Sequence, residues 1–414
     1  MERKINEPCV FKTGFTLAEV NLIKYPFNLL SNNRLDKLLE EAARKKKSHI
    51  ACELIMPDGT KRVWRVNPSI ELGYTRPFDK KVFMTILKLV TDEGLPPPVV
   101  WELGSLRRVC QTMGLEDCGR NKRLVKESLI RISQTAIYAE VFYLKERGEF
   151  WREKPGSLGG SFTLWNVIWR GEKLPNGEIA DSIYLAFNIP FIWSLQAYYV
   201  CPLDYEYWLS LPPLAQRLYE LTGRRFYGLT LSEYARYDYE ELCQLLPLQP
   251  QKYLSDAKRI LDRAHDILKS TGWFSKVQWV IKKAPKNKRP WEILYYPGPR
   301  AKEEIAQAKE RLAKLRQLGL SPVDIETELM EKARIEYFVD EIEKITGDTH
   351  SKATYIKIVK ALPDDVLWRF LSELKADYLH GPLTVRESLA AIFMDKVKRY
   401  CQEHGLDIGI KFKT

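Results

Sequence analysis

Apolar residues recur at helical spacing three times in succession. They fall at Val82, Phe83, Ile86, Leu87 and Val90, then at Leu106, Val109, Cys110 and Met113, then at Leu124, Val125, Ser128, Leu129 and Ile132. Each set is one face of a 3.6-residue period, so three consecutive helices are predicted. Strand-like segments follow, IYAEVFYL, SFTLWNVIW and SIYLAFN, separated by REKPGSLGG and RGEKLPNGE, whose Gly, Pro and Lys suit turns or wing tips. The same order returns further on. Leu214, Leu218 and Leu221 line a helix opened by Pro212-Pro213, and a second helix covers 239–246. The third has core residues Tyr253, Leu254, Ala257, Ile260, Leu261, Ala264, Ile267 and Leu268, and the strands KVQWVIKK and WEILYY close the unit. Helix–helix–helix–strand–strand is the order of a winged helix. Two such units imply a tandem array, although no residue-level repeat relates them.

The flanks differ. Residues 1–75 contain a predicted helix over 34–47 and the hairpin HIACELIMPDGTKRVWRV, whose Asp58-Gly59 pair suits a two-residue turn. Beyond 298 the pattern is helical throughout. Ile305, Ala308, Leu312 and Leu315 form only a thin stripe, which predicts a helix bridging domains. Leu367, Phe370, Leu371 and Leu374 mark a packed helix starting near Pro363-Asp364-Asp365, where acidic groups favour the N-terminal dipole. The fold class is therefore α+β and helix-rich, with tandem winged-helix domains followed by a C-terminal all-helical domain. The expected parts are 1–75, packing on the first winged helix; 76–201 and 202–298, the two winged helices; and 299–414, an interaction or structural module.

Charge sharpens the picture. The chain of 414 residues carries a net +11, but residues 301–414 hold 19 Lys+Arg against 20 Asp+Glu. All of the cationic excess lies in the first 300 residues, which favours a phosphate-bearing partner over general solubility. Seven cysteines show no CxxC pair, which points to a reducing cytoplasm and to neither a disulfide framework nor a zinc ribbon. No apolar run is long enough to span a membrane, and MERKINEPCVF lacks a signal-peptide core.

The candidate chemistry sits on the two third helices. Around 253–268, Ser255 and Arg259 lie opposite the core, with Asp262, and are flanked by Lys252, Lys258 and Arg263. An α-helix fits the major groove, where Arg or Lys reads guanine and Ser meets base edges or phosphate. The plainer alternative is a solvated face making local ion pairs. Between 275 and 290 stand Lys276, Lys282, Lys283, Lys286, Lys288 and Arg289 with no acidic residue, so the hairpin tip repels itself unless phosphates neutralise it. A lysine edge that guards against aggregation is the alternative there. Over 120–134, Arg123, Lys126, Ile130 and Gln134 oppose the apolar stripe, with Arg120 and Lys122 near its start.

These residues carry a resemblance. NLIKYPFNLLS, ELGYTRPFD, NKRLVKESLIRISQTAIY and LDYEYWLSLPPLAQRLYELTGRRF together resemble the plasmid replication initiator protein A family across about 15–297. The last motif is the most specific, with Leu203, Asp204, Leu211, Arg217, Leu218 and Tyr219 in order. The resemblance implies a cytosolic initiator that binds repeated double-stranded origin sites without a cofactor. It also implies recruitment of the host initiator and replicative helicase, and autorepression as a homodimer. Its motif residues are fold positions and do not name base contacts.

Catalytic constellations are absent from the sequence. There is no G-x-x-x-x-G-K-[ST], and none of the five histidines forms a His-x-His pair beside a tyrosine nucleophile. His265 is expected at the surface of its helix. Tyr205, Tyr207 and the tyrosines of ARYDYEEL are expected to pack with their hydroxyls outward. Trp165, Trp169, Trp273, Trp279 and Trp291 are expected in the core rather than stacked on single-stranded bases. Neither enzyme nor metal protein is expected. A winged-helix transcriptional regulator and, more remotely, a nucleic-acid enzyme with unrecognised carboxylates are the competing classes.

Overall fold

Pro77 at the first helical position and Asp79, whose carboxylate accepts the Arg76 backbone N–H at 2.7 Å, start the helix on which the first module is built. The computed structural model describes residues 14–33, 37–38, 40–41, 44, 48–55, 61–144, 149–150, 152, 157, 159–227, 234–281, 289, 291–317, 338–339, 341–343, 345–348, 350–363, 366–367, 369–374, 388–406 and 408–410. The predicted Asp58-Gly59 turn and Lys282, Lys283, Lys286 and Lys288 lie outside them, as does most of the predicted 34–47 helix.

In chain order the first elements are β1 (Phe15–Glu19), α1 (Val20–Lys24), β2 (Ala51–Ile55) and β3 (Lys61–Asn67). The first module contributes α2 (Pro77–Glu93), β4 (Val100–Gly104), α3 (Leu106–Thr112), α4 (Gly119–Ser133), β5 (Ala136–Ala139), β6 (Tyr143–Leu144), β7 (Glu149–Phe150), β8 (Gly160–Phe162), β9 (Trp165–Ile168) and β10 (Ile183–Phe187). After α5 (Phe191–Gln196) and β11 (Val200–Asp204), the second module contributes α6 (Tyr205–Ser210), α7 (Pro213–Tyr227), β12 (Ala235–Asp238), α8 (Tyr239–Leu245), α9 (Leu254–Ser270), β13 (Phe274–Ile281) and β14 (Trp291–Pro297).

Both modules are winged helices of one topology. The three-stranded antiparallel sheets run β4-β10-β9 and β12-β14-β13, so in each the strand between the first two helices pairs with the last strand of the wing. Leu185 stands between Trp101 and Val167 in the first sheet, and Ile293 between Tyr237 and Trp279 in the second. The first module differs by an insertion between its third helix and its wing. There β5 and β8 join β2 and β3 in a four-stranded sheet, so IYAEVFYL is not a wing strand.

Most of the buried apolar residues from Leu17 to Ala301 form one continuous cluster. The two modules and the N-terminal segment thus share a core. The segment packs on both modules: β1 pairs with β11, α1 lies against α7, and β2 against α8. Gly298 belongs to this packing, because a Cβ there would stand 2.2 Å from the Gly272 carbonyl oxygen.

Helix α10 (Pro299–Gln317) is not a bridge of the expected kind. It packs on α7, with Ala301 and Ala308 buried and Glu304 accepting a hydrogen bond from the Tyr219 hydroxyl. The compact unit accordingly runs to Pro322 rather than ending at 298, and a second unit covers Val323–Thr414. The described part of that second unit is helical, including α11 (Lys352–Ala361) and α12 (Leu389–His404). Its own core contains Phe338, Tyr355, Leu367, Phe370, Leu374 and Phe393.

Candidate nucleic-acid interface

Helix α9 buries Ala257, Leu261, Ala264 and Leu268, a stripe repeating at three and four residues, and so turns Ser255, Arg259 and Arg263 to solvent. The Arg259 side chain is 81% exposed, and its guanidinium lies 3.2 Å from Asp256 one turn back. An exposed pair of this kind is worth at most about 1 kcal/mol, so phosphate or a base edge can displace it. Lys258 is half-buried and Lys252 exposed, its ammonium 5.4 Å from the centre of the Tyr253 ring. Tyr253 was expected in the core. It is instead 59% exposed at the cap of α9, because the helix begins one residue later and its side chain precedes the buried stripe.

His265 also departs from expectation. It is 2% exposed, with Nε2 3.1 Å from the Tyr295 hydroxyl and Nδ1 3.4 Å from Asp262. Burial pushes its pKa down to about 4, so it is a neutral strut between α9 and β14. The tyrosine hydroxyls expected outside point inward. Tyr205 meets Thr85 at 2.8 Å, Tyr207 meets Thr271 at 2.6 Å, and Tyr237 donates to the Leu221 carbonyl at 2.8 Å. Trp165, Trp273 and Trp291 are buried, and Trp169 and Trp279 half-buried.

Helix α4 repeats the plan. Val125, Ser128, Leu129 and Ile132 are buried, while Arg120, Arg123 and Lys126 are exposed. The Arg123 side chain is 72% exposed and only loosely paired to Glu127, at 4.0 Å. Leu124, placed in the apolar stripe by the sequence, is exposed. Lys126 stands 5.0 Å from the Trp169 ring, at the base of the wing. Lys122 is engaged by Asp117 at 2.7 Å, and this contact holds the Asp117 carboxyl below its ordinary value. Asp117 also gathers Arg107 at 3.2 Å, an outward cation on α3 that the sequence pattern did not single out. Gln134 lies apart, at the end of α4, where its Oε1 accepts a hydrogen bond from Ser69 at 2.8 Å. Arg131 is withdrawn altogether: it pairs with buried Asp79 at 2.7 Å and ties α4 to α2.

The wings are unlike. In the second, Lys276 is exposed 5.3 Å from the Tyr296 ring, and the four tip lysines fall outside the described residues. Arg289 is half-buried, its guanidinium 2.7 Å from Glu240 and bonded to the Gln251 carbonyl. It fastens the returning strand to α8 and to the turn before α9, which makes it a positioning residue rather than a surface cation. The first wing is closed by backbone bonds between Gly171 and Ala180 and between Leu174 and Glu178. Its Arg170 and Lys173 are balanced by Glu172, Glu178 and Asp181.

Among the described residues, no group of three or more His, Cys, Asp or Glu is placed to hold a metal ion, and no helix is long and apolar enough to cross a membrane. Cys52, Cys110, Cys118, Cys243 and Cys401 are free thiols.

The geometry defines an α+β protein with two winged helices, each presenting a cationic third helix. No family model and no curated protein matches the sequence. Among solved structures, the chain is similar to domains 2 and 3 of RctB, with a TM-score of 0.41 and 14% identity over 67% of this chain and 98% of that one. A second structure of RctB domains 2–3 gives 0.36 and 14%, covering 61% and 93%. The Pi initiator protein in complex with iteron DNA gives 0.36 and 15%, covering 54% and 91%.

Proposed function

We propose that the chain is a sequence-specific double-stranded DNA-binding protein that initiates plasmid replication. In this reading it binds repeated origin sites, recruits the host initiator and helicase, and represses its own gene. The observation that carries the reading is the outward face of α9. Arg259 and Arg263 stand in solvent on a helix whose opposite face is buried, and Arg120, Arg123 and Lys126 repeat that arrangement on α4. A helix so presented can enter a major groove, and two of them lengthen the site beyond what one module reads. The motif Leu203, Asp204, Arg217, Tyr219 supports initiation in particular. Its residues are built into the fold: Asp204 caps α6, and Tyr219 accepts the Asp204 backbone N–H. The protein acts in this reading by binding and recruitment, without a catalytic step of its own.

Footprinting on the DNA around its gene tests the proposal. Protection of an array of direct repeats is the expected result. Protection of a single inverted repeat in the promoter would indicate a repressor alone. Metal-dependent cleavage or nucleotide polymerisation by the pure protein would overturn the non-enzymatic reading.

A further inference from the structure

Where the second module meets the first, charged groups from separate elements converge out of water. Lys80 of α2 places its ammonium 3.2 Å from Glu220 of α7, and both side chains are buried. Glu220 also accepts from the Trp208 indole of α6 at 2.9 Å and from Arg217 at 2.8 Å. Arg217 in turn donates to the Leu245 carbonyl at the end of α8, and to the carbonyls of Ile23 and Lys24 at the end of α1. Burial pulls the Lys80 pKa down, and the neighbouring Glu220 opposes that shift.

A buried ion pair contributes little net stability, since desolvation offsets its attraction, but losing one partner leaves an uncompensated charge. Sliding one module against the other would separate Lys80 from Glu220, and shifting the N-terminal segment would take the carbonyls of Ile23 and Lys24 away from Arg217. Intermediate orientations are therefore penalised, and a single one is favoured. The Thr85–Tyr205 hydroxyl contact between α2 and α6 and the bond from the Glu53 N–H to Gln244 act across the same junction.

We propose that Lys80, Glu220 and Arg217 form a latch that holds α4 and α9 at one separation, so that the protein selects DNA by the spacing of two contacts as well as by base sequence. The latch stands on its own geometry; its consequence for spacing rests on the DNA-binding reading above. One base pair inserted between the contacts shifts the second by roughly 3.4 Å and rotates it by about 35°, which a rigid pair of helices cannot follow.

The test has two arms. Spin labels are placed at Arg123→Cys and Arg259→Cys in a background with Cys9, Cys118 and Cys201 replaced by Ser, and their separation is measured by pulsed electron resonance. A single narrow distance is expected, which broadens or splits on adding Lys80→Met. Glu220→Gln, nearly unchanged in volume, is the second variant should Lys80→Met fail to fold. In the other arm, the unlabelled protein should bind a site carrying two inserted base pairs at least ~30-fold more weakly than the intact site, and the latch variants less than ~3-fold more weakly. A narrow distance and a full insertion penalty in both variants would overturn the latch, as would a broad distance in the unaltered protein. A narrow distance that Lys80→Met broadens, in a protein that binds no duplex, would support the latch and sink the DNA reading.

Discussion

Arg259 and Arg263 are held to nothing stronger than a surface ion pair, so their donors can be redirected to a base edge. A bidentate arginine contact is worth about 1–3 kcal/mol of base discrimination. Replacing both by Ala should therefore weaken binding to the footprinted site by at least ~10-fold while changing binding to random duplex much less, as measured by titration at fixed salt. Equal losses on both would place the side chains on phosphates. Two buried groups dictate a separate outcome. His265 has a folded pKa near 4 against an ordinary 6.5, so the unfolded chain takes up a proton that the folded one refuses, and stability falls as pH drops from about 6.5 towards 4. Glu304 is raised by burial to about 7 from an ordinary 4.5. There the folded chain keeps the proton, and its contribution is present below 4.5 and lost as pH rises through 7. Each effect is at most roughly 3 kcal/mol, and the two oppose one another across the same window. Thermal melts from pH 4.5 to 7 should therefore show the melting temperature of Glu304→Gln rising with pH more steeply than that of the unaltered protein. His265→Gln should fall with pH instead; parallel curves for all three would refute both assignments.

At the level of elements, the wings should behave differently in salt. The second has Lys282, Lys283, Lys286 and Lys288 in a run with no acidic neighbour, whereas the first is charge-balanced. With a slope near −0.9 per phosphate neutralised, replacing the four lysines by Ala should lower the steepness of log K against log salt by up to about 3–4. Replacing Arg170 and Lys173 should alter it by less than about 1. An unchanged slope in the first case would mean that the second wing does not touch DNA. The helices themselves were legible because their signal is local: Val82, Phe83, Ile86 and Val90 are buried as spaced, as are Ala257, Leu261 and Leu268. The pairing of β5 with β3 was not, since a strand reads alike whichever partner it takes and its partner lies about 70 residues away along the chain. Polar residues misled for a related reason. His265 is inside because Tyr295, on a strand 30 residues later, offers it a hydrogen bond, and no window around the histidine contains that partner.

Over the whole molecule, the sequence reading ended the first compact unit at 298, whereas it runs to Pro322. The thin stripe of α10 looked too weak to pack. Packing is achieved with small and polar groups instead: Ala301 and Ala308 are buried, Glu304 reaches Tyr219, and Arg300 meets Asp204 at 3.0 Å with its guanidinium 3.7 Å from the Tyr207 ring. Tyr219 and Asp204 belong to the motif that also supports α6, so α10 buttresses the start of the second winged helix. A chain ending at Pro322 should therefore melt cooperatively and bind the origin site with the affinity and salt slope of the full-length protein. One ending at 298 should lose several degrees of melting temperature, because it leaves Tyr219 and Asp204 without these partners. Residues 323–414 have a separate core and belong to the near-neutral part of the chain, so their removal takes away little that phosphate would bind. In the proposed role they meet protein rather than DNA. The chain ending at Pro322 should then occupy the repeats in a footprint yet fail to support plasmid replication in cells. Replication at the normal level without them would assign host recruitment to the winged helices, and a lost footprint would show that they take part in binding after all.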